Sequence, residues 1–182
     1  MRRSVRFKPL VIMVIAYLLI AVPFKVLSLI PGFTDVRPVA MLGPLYAVFF
    51  GVPGCAVFAL LNLLMDAVSS SLRWSSIAGL AANFLGPYIV YLFWTRVSKR
   101  PFHLRDGKQL VKHSGIIIVH AVLMMLIITP AVRLIYPDVD ARLFGLSVLL
   151  NHSCFPILFG IPLTILMQEE LGFTPCQLHQ KP

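Results

Sequence analysis

The sequence predicts an all-α membrane protein: six transmembrane helices with both termini in the cytoplasm. Three observations predict it. Apolar blocks cover most of residues 10–168. Only 13% of residues are charged, against about 25% in a soluble domain. Lys and Arg cluster at 2–8 and 96–112, in alternate gaps between the blocks. A long apolar block with few charges reads as a spanning helix, because in hydrocarbon each backbone N–H and C=O must be paired within its own segment. With 182 residues, 58% hydrophobic and a mean hydropathy of +0.86, the chain reads as a single domain, 1–182, with no room for a separate soluble one.

The first span is expected at 9–30. The basic start, Met1-Arg-Arg-Ser-Val-Arg-Phe-Lys8, resembles the head of a signal peptide. The apolar stretch after it is too long for one and has no small-x-small cleavage site, so an uncleaved span is expected. The second and third spans are expected at 39–50 and 54–68, joined by the turn signal Gly51-Val-Pro-Gly54. At 12 and 15 residues, or about 18 and 22 Å, both are short for a hydrocarbon core of about 30 Å. They form either a full helical hairpin or a re-entrant one. Full spanning requires local thinning or shielding by neighbours, and that is the reading adopted. The remaining spans are expected at 74–94, 114–135 and 142–167, with 96–112 as a basic cytoplasmic loop between the fourth and fifth.

Orientation follows from the basic residues. With the N-terminus inside, Arg2, Arg3, Arg6, Lys8, Arg96, Lys99, Arg100, Arg105, Lys108, Lys112 and Lys181 face the cytoplasm. Only Lys25, Arg37, Arg73, Arg133 and Arg142 face outward, and the asymmetry places both termini inside. The net charge of +9 is thereby explained by orientation and anionic headgroups, and no basic surface interleaved with aromatics remains for nucleic acid. Trp74, Trp94, Tyr88, Tyr91 and Tyr136 fall mostly near span ends, as an aromatic belt does. Pro23, Pro44, Pro87, Pro130, Pro156 and Pro162 lie in or near spans and are expected to kink them. Ala78, Ala82 and Gly86 make a small-residue face at four-residue spacing, where another helix can approach closely.

Polar residues at membrane depth are the candidate functional positions. Counted from the nearer outer end, Asn62 lies about 12 Å deep, and Asn83 and Asn151 about 14 Å. An amide offers two donors and an acceptor, which suits a small polar solute. The alternative is interhelical packing, at about 0.6 kcal/mol per bond. The common depth favours a pocket. Asp66 sits one turn outward from Asn62 at i, i+4. It either faces a ligand or ties locally to Arg73 or Arg37. His152 faces another side of its span and is retained as a candidate site residue, although a membrane histidine is commonly hydrogen-bonded core. His120, counted from the inner end, is assigned to packing, and His103 and His113 to the basic loop.

Catalytic and cofactor signatures are missing from the sequence. There is no HExxH, no GxSxG and no close Asp/Glu pair facing a bilayer, and Asn151-His152-Ser153-Cys154 are adjacent and so spread around a helix. There is no GxxxxGK[ST] loop for ATP. Cys55, Cys154 and Cys176 are widely spaced, with no CxxC pair to hold zinc. No enzyme, metal or cofactor is expected.

The run Asp35-Val-Arg37-Pro38, Gly43-Pro44-Leu-Tyr-Ala-Val-Phe-Phe-Gly51-Val-Pro-Gly54, Leu61-Asn62-Leu-Leu-Met-Asp66 and Gly79-Leu-Ala-Ala-Asn83-Phe resembles the substrate-binding S components of energy-coupling factor (ECF) vitamin transporters. The resemblance covers about a third of the chain, from Gly32 to Trp94. It implies a six-helix bundle in the bacterial cell membrane that binds a vitamin or precursor from outside, under a first-loop cap. It implies a membrane T component and two cytoplasmic ATPases as partners. It assigns Arg37 to the cap and Asn62, Asp66 and Asn83 to the outer half of the pocket. The family's first helix often carries an Ala-xxx-Ala docking face, whereas Ala16 and Ala21 here are five apart. Two other classes compete: an accessory membrane protein with the asparagines as packing, and a small intramembrane enzyme using Asp66 or His152.

Overall fold

The computed structural model describes residues 7–24, 28–30, 34–98 and 101–176. Arg2, Arg3, Arg6, Lys25, Lys99, Arg100 and Lys181, used above for orientation, lie outside them, as does Gly32. The described chain is almost entirely helical. It comprises α1 (Phe7–Phe24), a short antiparallel pair β1 (Ser28–Ile30) and β2 (Thr34–Asp35), a 3-10 turn (Pro38–Met41), α2 (Leu42–Val68), α3 (Ser75–Leu92), α4 (Gly107–Ile135), α5 (Ala141–Phe155) and α6 (Ile161–Glu169). Four stretches are long and apolar enough to cross a membrane: Pro38–Val68, Ser75–Val97, Gly107–Ile135 and Ala141–Glu169.

Pro38–Val68 is not one rod. Gly51 has φ 64° and ψ −143°, a conformation open essentially only to glycine. Along a straight helix Gly43 and Phe58 would be about 22 Å apart. Instead a Cβ on Gly43 would lie 3.2 Å from the Phe58 ring. The chain therefore folds back into two packed arms, 42–50 and 52–68, as the Gly-Val-Pro-Gly turn predicts. Pro53 opens the second arm, where its missing N–H has no partner to lose. A Cβ on Gly54 would meet the Tyr46 carbonyl oxygen at 2.4 Å, so the turn needs glycine there too. Phe58 fills the crotch, edge-on to Tyr17 and Tyr46.

Two boundaries differ from expectation. The first helix ends at Phe24 instead of continuing to 30. Pro23 weakens its last turn, and Ile30 precedes Pro31, which drives it to the extended form seen in β1. Helix α4 begins at Gly107, seven residues before the expected 114, because the Asp106 carboxylate caps it by accepting the Lys108 N–H at 3.0 Å. The basic loop 96–112 thus shrinks, and Lys108 and Lys112 ride on α4. Beyond α5, Pro156–Gly160 forms a π-helical turn that runs directly into α6. The proline removes one backbone donor, and the wider turn absorbs the loss without breaking the helix.

Both ends of the bundle are tied. At one end the Arg73 guanidinium lies 5.4 Å over the Tyr136 ring, and Arg133 donates to the carbonyls of Pro137 and Val139. At the other, Trp94 Nε1 donates to His113 Nδ1 at 3.0 Å, and Phe102 packs edge-on against Trp94. Gln168 donates to the Phe102 carbonyl, and Arg105 pairs with Glu169. His113 is therefore a buried core residue and not part of a solvated loop.

Candidate functional site

The polar groups gather toward the Arg73–Tyr136 end of the bundle. A cleft there is lined by Tyr17, Ala21 and Phe24 of α1, by Val36–Val39 of the strap that follows β2, and by Asn62, Met65 and Asp66 of α2. Helix geometry brings these side chains together. Asn62 and Asp66 are one turn apart on one face of α2. Tyr17 is the inward residue of α1, one turn from Met13, while Val11, Ile12, Ile15 and Leu19 point outward.

The Tyr17 hydroxyl donates to Asn62 Oδ1 at 3.4 Å. The Ser76 hydroxyl donates to Asp66 Oδ2 at 3.0 Å and itself accepts the Arg73 N–H, so the start of α3 orients the carboxylate. The strap is latched on its far side, where the Arg37 N–H donates to Asn151 Oδ1 of α5 at 2.9 Å. Gly160 supports the strap's continuation, since a Cβ there would lie 3.2 Å from the Met41 carbonyl oxygen. With the strap latched, the void is only about 30 Å³. One water needs roughly 10–15 Å³ on that measure. The cleft as it stands has room for two or three waters.

The cleft offers a hydroxyl, an amide, a guanidinium and a carboxylate around an apolar wall. One positive and one negative group sum to no net charge, which suits a neutral hydrogen-bonding solute. Among the described residues no group of three or more His, Cys, Asp or Glu side chains is placed to hold a metal ion.

Of the sequence-predicted residues, Arg37, Asn62 and Asp66 line the cleft, and Asn151 reaches it through the strap backbone. Asn83 does not line this cleft. It is buried on α3, and its amide nitrogen donates to the Gly79 carbonyl of its own helix at 2.7 Å. The three carboxamides share a depth but not one cavity. His152 lies behind Asn151 and packs edge-on against His120, with ring centroids 5.5 Å apart. The early start of α4 puts His120 13 residues, about 20 Å, from the beginning of that helix, near its middle and beside His152, about two turns further along than a start at 114 implies. Tyr17 was also missed, because one tyrosine in an apolar span reads as packing. Its i+4 relation to Met13 on the one buried stripe of α1 was the available signal.

No protein-family model, curated protein or solved structure matches this chain.

Proposed function

We propose that this chain is a membrane-embedded, solute-binding subunit for uptake of a small vitamin-like or precursor molecule, working with separate ATP-hydrolysing partners. The carrying observation is the cleft: Tyr17, Arg37, Asn62 and Asp66, from two helices and a strap, converge on one void. Polar groups of both signs at such a place pair with one another or face a cavity, and they mark solute pathways. In this reading the chain crosses the cell membrane six times, the arms 42–50 and 52–68 being the second and third crossings. Both termini are cytoplasmic, and the cleft opens outward. The sequence resemblance to S components supplies the partner set, a membrane T component and two cytoplasmic ATPases, and the chain itself is not an enzyme.

One observation favours the accessory-protein reading: Asn83 is spent on its own helix, as packing would have it. Affinity purification of the tagged chain from its own membranes separates the two. Co-purification of an integral-membrane scaffold with two ATPases, and ATP-dependent loss of a bound small molecule, is the expected result. A complex without ATPases and without a small molecule would overturn the proposal.

A further inference from the structure

Behind the strap lies a second group of polar atoms that the cleft does not use. Nδ1 of His152 is buried without a hydrogen-bond partner, and the buried His120 ring has no polar neighbour but the Gly86 backbone. Their rings sit edge to face at 71° between α4 and α5. Helix α3 closes one side with Gly86, where a Cβ would lie 2.5 Å from His120 Nδ1 and 2.7 Å from Met124 Sδ. The missing side chain brings backbone against the ring and holds it in place. Buried polar atoms without partners are rare in native proteins and call for an occupant or a function.

We infer that the His120–His152 pair is an inner polar subsite of the solute cavity, taking the amide-like edge (an N–H beside a C=O) of a neutral planar molecule. This rests on the solute-binding reading above. An uncharged imidazole offers one donor and one acceptor, so a pair of rings complements a group that both accepts and donates. A metal ion is disfavoured, because among the described residues no group of three or more His, Cys, Asp or Glu side chains is placed to hold one. A fully charged anion is disfavoured because Asp66 already faces Arg37's side of the cavity. The two halves are adjacent: Asn151, next to His152 in α5, holds the Arg37 N–H. In this proposal, movement of the strap away from α5 joins cleft and pair into one site.

The test uses the full chain in lipid nanodiscs with ¹⁵N-labelled histidine, and 2-pyridone, a planar lactam, as probe. Saturable shifts of the His120 and His152 ring nitrogens are expected. His152→Phe should weaken binding by about tenfold or more, and His152→Asn, which keeps a donor and an acceptor, should restore most of it. The wild-type shifts stand even if a variant misfolds. Absence of those shifts overturns the inner subsite. If, in a second sample labelled with ¹⁵N-arginine, 2-pyridone shifts Arg37 while the histidines stay unmoved, the solute-binding reading survives without the inner subsite. Preference for benzoate, or Zn²⁺ coordination by both rings, also overturns the assignment of a neutral amide edge.

Discussion

Replacing Asn151 by leucine tests how the strap is held. Asn151 Oδ1 accepts the Arg37 N–H at 2.9 Å, and Asn151 is buried. Leucine has similar bulk but no acceptor, so the Arg37 amide loses this partner in a partly buried place. A donor left in that state costs about 1–3 kcal/mol. If the closed strap carries that cost and the open one does not, opening becomes about 5- to 150-fold more frequent. Amide hydrogen exchange, followed by mass spectrometry of a peptide spanning 36–41 in nanodiscs, reads this directly. The Arg37 amide should exchange faster by that factor. The Ala40 amide, which bonds the Arg37 carbonyl at 3.0 Å, should follow it, while amides in the middle of α4 stay unchanged. Unaltered exchange at Arg37 would refute the latch and, with it, the claim that α5 gates the cleft.

Gly86→Val should destabilise the bundle by about 1–3 kcal/mol, because the buried His120 ring has no room to retreat; unfolding in SDS measures it, and a neutral result contradicts the close α3–α4 approach. Gly51→Ala should cost about 1–3 kcal/mol in the same assay, since its φ of 64° and ψ of −143° lie outside the reach of alanine, and an unchanged midpoint would deny the hairpin turn. Ser70→Gly should stabilise the protein by about 0.5–1 kcal/mol, because Ser70 closes α2 with φ 54°, and a loss of stability would contradict this. Asp140 accepts the Leu143 and Arg142 N–H groups, which hold its carboxyl below the usual range. Its contribution is therefore present above the unfolded value of about 3.9 and is lost as pH falls through the lower folded one. Asp140→Asn should flatten that part of the acid-unfolding curve, and an identical curve would contradict the cap.

Much of the fold was legible because apolar runs and basic gaps report helices one by one. The turn at Gly51–Gly54 was legible for a local reason: two glycines around a proline leave the chain few alternatives. What failed was anything set by a cap or by the partner helix. Lys108 and Lys112 look like loop residues by charge, yet Asp106 starts the helix before them, and the error carried His120 two turns toward the start of α4. Depth placed Asn83 with Asn62 and Asn151, but depth says nothing about rotation about the helix axis, and Asn83 turns back to Gly79. The strap's bond to Asn151 joins residues 114 positions apart, which no local pattern encodes. The buried knot of Trp94, Phe102 and His113 was hidden for the same reason.

The central claim is that the space between Tyr17, Arg37, Asn62 and Asp66 exists to hold a small molecule. Native mass spectrometry of the purified chain, released gently from detergent, examines it most directly. A discrete retained mass in the wild type that vanishes in Asn62→Leu, while the protein stays folded, is the predicted result. A wild-type spectrum showing only the bare chain and lipid, after purification from solute-replete cells, would contradict it.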